Sequence, residues 1–157
     1  MANSILIALD DSENAQKALE YVANNMNPSA TVVIITILPK VSTACGMDSP
    51  SLTPLFNKNS QVFCTMEDVK RERMKEYVGE AEKRLVAAGF SPDNLKSRVE
   101  EQRSGVARDI LQEIKEGKYD TVVLGRRGLS GVKEFFSGSV TTKVLQGATG
   151  VTVIVVD

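Results

Sequence analysis

The run Thr31-Val-Val-Ile-Ile-Thr-Ile-Leu38 is apolar and β-branched at nearly every position, without the alternation of a strand that has one face in water. Such a composition is typical of a strand covered on both faces, as in parallel sheets. Further apolar runs occur at 4–9, 121–124 and 151–156, and residues 95–103 alternate weakly. The sequence therefore predicts five strands, with 95–103 nearer the edge of the sheet.

Helical periodicity separates these strands. Apolar residues spaced three and four apart, from Ala15 to Met26, predict a helix from Glu13 to about Asn27. The same spacing predicts helices at 66–88 and 106–117, and a last one that carries Val140, Val144 and Leu145. Five strands alternating with four helices predict an α/β fold: a three-layer, doubly wound sheet of parallel strands. Ligands bind beyond the carboxyl ends of the strands in such sheets, so we expect the site there.

Composition narrows the functional classes. The chain has 157 residues, so we expect a single domain over 1–157. Its formal net charge of -1 disfavours binding to nucleic acid or a membrane surface. The absence of histidine excludes His-dependent triads and most zinc hydrolase sites. The two cysteines lack CxxC spacing, which predicts inert, reduced thiols. The N-terminus has no charged segment and the chain has no long apolar run, so we expect a cytoplasmic protein.

The segment 39–65 breaks the periodic pattern, because it contains three prolines and a glycine among many Ser, Thr and Asn residues. We interpret it as a long loop, which is either a functional lid or a connector that hides a short helix. Cys45 and Cys64 lie in it. The charged residues of the helix that follows, 66–88, are expected to face water.

A glycine-rich stretch at 125–139 follows the strand 121–124 and leads into a helix. Glycines allow successive N–H groups to surround phosphate oxygens, and the helix N-terminus at Ser139 favours anions. Arg126, Arg127 and Lys133 add positive charge nearby. Neither GxxxxGK[ST] nor GxGxxG follows any strand, so the stretch is a different phosphate loop or a flexible connector capped by a serine.

The spacing Gly125-x2-Gly128-x9-Gly138-Ser139 resembles the nucleotide-binding signature of the universal stress protein family, in its ATP-binding branch. ILIALDDSENAQKAL at 5–19 and YDTVVLGRRG at 119–128 are also similar to that family. The resemblance implies a sheet of order 3-2-1-4-5, ATP in the cleft where strand order reverses, and a homodimer.

Carried over by position, the resemblance implies an ATP site made of nine residues: Asp10, Ser12, Ile37, Gly125, Arg127, Gly128, Gly138, Ser139 and Val140. Asp10 would contact the nucleoside end and sit near a bound Mg²⁺ or Mn²⁺. Asp10 and Ser12 have another interpretation, because both also suit helix capping. Ile37 would line adenine, but an apolar residue there also suits plain core.

The leading functional prediction is an ATP-binding stress-response or signalling module. No catalytic base is evident, so we expect at most slow hydrolysis or self-phosphorylation. A receiver domain is one alternative because Asp10-Asp11 resembles its acidic pair, although Gln102-Arg103-Ser104 stands where the phospho-accepting Asp belongs. A nucleotide-free interaction scaffold is the other alternative. Residues 151–156 form a β-branched edge strand without charge, which predicts a homodimer through that edge.

Overall fold

The computed structural model describes residues 3–40, 54–126 and 139–157, although the side chains of 54–67 and 139 lie outside that description. Strands and helices alternate along these residues. In chain order they are β1 Ser4–Ala8, α1 Glu13–Asn25, β2 Thr31–Leu38, α2 Pro54–Ala87, β3 Leu95–Glu101, α3 Val106–Gly117, β4 Thr121–Gly125, α4 Ser139–Gly147 and β5 Thr152–Val156.

The five strands form one parallel sheet in the order β3-β2-β1-β4-β5. Leu6 at the centre of β1 stands opposite Val33 of β2 on one side and Val122 of β4 on the other. Strand order reverses beside β1, so the carboxyl ends of β1, β2 and β4 meet at one edge. The predicted fold and strand order are confirmed.

Two apolar cores lie on opposite faces of the sheet, as a three-layer fold requires. Ile5 and Ile7 of β1 face α1 and α2, where they pack in the same core as Val22 and Leu85. Leu6 faces the other way, into a core closed by α3 and α4. Because successive strand residues point to opposite faces, this arrangement explains why the central strands lack alternation.

The prediction of a loop over 39–65 is wrong in its second half. Helix α2 begins at Pro54, twelve residues before the predicted start at Met66. Proline is favoured in the first turn of a helix, where its missing N–H has no partner to lose. Residues 41–53, which include Cys45 and the rest of the predicted lid, lie outside the described residues, and so does the side chain of Cys64.

The helices within the described residues lack the features of a membrane span. None of them is both long enough and apolar enough to cross a membrane.

Candidate functional site

A cleft of about 320 Å³ opens at the carboxyl ends of the parallel strands. This volume lies at the lower end of the range of small-molecule sites. Its walls come from the ends of β1, β2 and β4, from the starts of α1, α3 and α4, and from the middle of α2. The described residues that line it are Ala8, Leu9, Asp10, Asp11, Ser12, Ala15, Ile35, Thr36, Ile37, Leu38, Pro39, Lys70, Met74, Val106, Ile110, Leu124, Gly125, Val140 and Thr141.

The turn between β1 and α1 places a carboxylate in this cleft. Ser12 caps α1, because its Oγ accepts a hydrogen bond from the Ala15 N–H at 3.2 Å. The Ser12 N–H donates to Asp10 Oδ1 at 3.1 Å, and the Ser12 hydroxyl donates to the same oxygen. Ser12 thus holds the Asp10 carboxylate in place, and the capping interpretation is confirmed for Ser12.

Gly125 ends β4 where the start of α1 approaches the backbone closely. A Cβ at Gly125 would stand 2.7 Å from the carbonyl carbon of Asn14 and 2.9 Å from the nitrogen of Ala15. The Gly125 carbonyl accepts a hydrogen bond from Thr141 Oγ1 at 2.9 Å. Gly125 therefore joins the starts of α1 and α4 at the cleft, and only a residue without a side chain fits there.

Helix α2 forms a wall that the sequence did not indicate. Arg73 Nη2 lies 3.3 Å from Asp11 Oδ2, which ties this helix to the β1–α1 turn. Met74 is buried and lines the cleft, and Lys70 lies one turn earlier on the same helix. The helical spacing predicted a buried Met74, but nothing local indicated that α2 would meet the turn after β1.

A buried phenol stands behind the acidic turn. Burial raises the pKa of Tyr77, and the negative charges of Asp10 and Asp11 raise it further. The Thr36 hydroxyl is buried without a hydrogen-bond partner among the described residues.

The structure brings together five of the nine predicted site residues: Asp10, Ser12, Ile37, Gly125 and Val140. Ile37 is half-buried and packs against the core under α3 and α4, so it is part of both the cleft and that core. Arg127, Gly128 and Gly138 lie outside the described residues, as does the side chain of Ser139.

The acidic residues of the cleft limit how a divalent cation could be held. Within the described ranges, no three of Cys, Asp, Glu and His lie together as metal ligands. Asp11 is engaged by Arg73, so Asp10 is the carboxylate left to contact a cation. One carboxylate is enough for Mg²⁺ when the ligand's phosphates and water supply the other oxygens. The residues present therefore fit a cation that arrives with a nucleotide.

Comparisons with known proteins agree on one family. The model of the Usp family, described as "Universal stress protein family", matches residues 1–157. The universal stress protein YxiE of Bacillus subtilis (strain 168) is 28% identical over 153 residues, which cover 95% of each chain.

Solved structures share the fold at lower identity. The universal stress protein UspA of Lactobacillus plantarum superposes with a TM-score of 0.73 at 21% identity, covering 99% of this chain and 97% of the other. A universal stress protein solved in complex with cAMP gives 0.61 at 20% identity, covering 99% and 96%. One from Archaeoglobus fulgidus, solved in complex with dAMP, gives 0.62 at 16% identity, covering 99% and 98%.

Proposed function

The chain belongs to the universal stress protein family, and on this premise we propose that it is a stress-response or signalling module that binds ATP with Mg²⁺ or Mn²⁺ in the cleft. The observation that carries the proposal is the meeting of Asp10, Ile37, Gly125 and Val140 around one cleft. These residues come from β2, β4, α4 and the turn between β1 and α1. Nucleotide complexes of two structural relatives, with cAMP and with dAMP, support a nucleotide as the ligand.

Each wall of the cleft suits one part of a nucleotide. Apolar side chains from β2 and α3, among them Ile37 and Ile110, can cover a base and exclude water from it. The Asp10 carboxylate can accept hydrogen bonds from ribose hydroxyls. N–H groups at the start of α4, including that of Val140, can donate to phosphate oxygens, where the helix dipole also favours negative charge.

The remaining predicted residues complete the phosphate end of the proposed site. They are Arg127, Gly128, Gly138 and Ser139, and their place in it rests on the family resemblance. A divalent cation bound to Asp10 would neutralise phosphate charge. No described residue of the cleft is a histidine, and its two carboxylates hold Ser12 and Arg73. We therefore propose that the nucleotide acts as a conformational ligand with at most slow hydrolysis.

We also propose a homodimer that pairs the two β5 strands. Strand β5 is outermost and pairs only with β4 among the described strands, so its other edge has free N–H and C=O groups. Two copies related by a two-fold axis would protect each other's edges.

The lid predicted over 39–65 stays a prediction for the part that precedes α2, which begins at Pro54. A cytoplasmic location also stays a prediction.

Binding of ATP to nucleotide-stripped protein tests the central proposal. ATP with Mg²⁺ at about 100 times its Kd should stabilise the fold by about 2.7 kcal/mol, which raises Tm by about 5 to 10 °C. Differential scanning fluorimetry and titration calorimetry measure both effects. In the absence of a divalent cation, Asp10→Asn should weaken ATP and adenosine alike, because it removes the charge that ribose hydroxyls contact; with Mg²⁺ present, ATP should lose more, because its phosphates share the cation with Asp10.

Asp93→Asn is the matched control for Asp10→Asn. Asp93 lies in the 3-10 turn before β3, at the opposite end of the sheet from the cleft, and it is exposed. Stripped wild-type protein that shows neither binding heat nor a Tm shift with millimolar ATP would contradict the proposal. That result would favour the nucleotide-free scaffold instead. Family membership already sets the receiver alternative aside.

A further inference from the structure

Helix α2 carries six cations between Lys70 and Arg84, and all but one have a carboxylate partner. Arg71 pairs with Glu101, Arg73 with Asp11, Lys75 with Glu72, Lys83 with Glu80 and Arg84 with Glu20. Lys70 is the exception: no described carboxylate lies within 4.0 Å of it. Lys70 is also the one cation among the described residues that line the cleft.

Lys70 is exposed, and its position on α2 places it at the edge of the cleft. Lys70 precedes Met74 by four residues, so the two side chains share one helix face. Met74 is 3% exposed and packs at the cleft, which fixes the rotation of the helix. The ion pair of Arg73 with Asp11 fixes the same helical turn against the turn after β1. Lys70 therefore lines the cleft one helical turn from Met74.

The electrostatics of the cleft leave a position for an anion beside Lys70. Asp11 is paired with Arg73, and the Asp10 carboxylate accepts two hydrogen bonds from Ser12. Neither carboxylate forms an ion pair with Lys70. An ammonium is a compact point charge with three donors, which suits phosphate oxygens.

We propose that Lys70 binds a phosphate of the nucleotide and so selects phosphorylated ligands over nucleosides. This inference rests on the proposed nucleotide site and adds a contact from α2, whose residues Lys70 and Met74 line the cleft. The contact would join α2 to the same ligand that Asp10 and Val140 meet in the cleft.

The expected size of the effect follows from a single charge-assisted contact. Lys70 is exposed without ligand, so solvent screens part of the interaction. We expect Lys70→Met to raise the Kd of ATP and of AMP about tenfold, near the lower end of the range for hydrogen bonds to charged groups. The Kd of adenosine should stay unchanged, because adenosine carries no phosphate.

The test is titration calorimetry of ATP, AMP and adenosine, at fixed salt, with wild type, Lys70→Met, Lys70→Arg and Lys75→Met. Lys75→Met is the matched control, because Lys75 is on the same helix, is paired with Glu72 and does not line the cleft. Lys70→Arg keeps the charge and should restore most of the affinity. Melting curves of the four proteins without ligand check that each one folds.

Two results would overturn the role of Lys70 and leave the proposed nucleotide site standing. One is wild-type protein that binds ATP or AMP while Lys70→Met binds them equally well. The other is an equal loss for adenosine, which would place the lysine on the nucleoside. If wild type binds AMP but not ATP, the choice of ATP fails while Lys70 is still tested on AMP. If wild type binds none of the three ligands, the nucleotide site itself fails, and this inference fails with it.

Discussion

Replacing Gly125 by alanine should destabilise the protein, whereas the same change at Gly79 should stabilise it. At Gly125 the new Cβ would lie 2.7 to 2.9 Å from three backbone atoms of Asn14 and Ala15. Backbone atoms cannot rotate away as a flexible side chain can, so the start of α1 has to move. Overpacking of this kind costs about 1 to 3 kcal/mol, and at about 2 to 4 °C per kcal/mol Tm should fall by roughly 2 to 12 °C.

Gly79 provides the opposite case within the same fold. It lies inside α2, and a Cβ there meets no atom within 4 Å. Alanine in a helix interior is favoured over glycine by about 0.8 to 1.0 kcal/mol, so Gly79→Ala should raise Tm by about 2 to 4 °C. Both variants remove a glycine and add one methyl group, so the difference between them reports the close approach at Gly125 together with the helix propensity gained at Gly79.

The assay is thermal and urea denaturation of both variants, followed by ATP titration. Movement of α1 would displace Ser12 and with it the Asp10 carboxylate, so Gly125→Ala should also weaken ATP binding. Gly79→Ala should leave the Kd unchanged. A Gly125→Ala protein that melts at or above the wild-type temperature would refute the close approach of α1 to β4 on which this reasoning depends.

Three further predictions concern other contacts. Burial raises the pKa of Tyr119, and the hydrogen bond to Glu113 and the charge of that carboxylate raise it further. The neutral phenol therefore contributes its full stabilisation of the fold below about pH 10, the pKa of an unfolded tyrosine, and this stabilisation is lost as the pH rises further. Urea denaturation should thus show a smaller alkaline loss of unfolding free energy for Tyr119→Phe. Thr141→Val should cost about 1 to 2 kcal/mol in the same assay, because the Gly125 carbonyl loses its donor, whereas Thr141→Ser should cost less. Sedimentation should show that the wild-type protein is a dimer and that Val155→Lys is a monomer, because a lysine on the outermost strand opposes edge pairing. A monomeric wild-type protein would contradict the proposed interface.

Local patterns determined most of the fold. The apolar runs and the three- and four-residue spacings are properties of neighbouring residues, so all five strands and all four helices could be predicted from them. The first twelve residues of α2 were missed, because Asn57, Asn59 and Ser60 favour loops. The spacing of Leu55, Val62 and Met66, seven and four residues apart, was the signal that could have found them.

The sequence also determined which polar residues stand at strand ends, since a parallel sheet brings those ends together. Asp10 and Gly125 could therefore be assigned to one cleft. Their surroundings were decided only by the tertiary structure. Gly125 has to be glycine because α1 approaches it, and Lys70 lines the cleft because α2 packs beside the turn after β1. Sixty residues of chain separate Lys70 from Asp10, and the packing that brings them together depends on the whole sheet rather than on any local pattern.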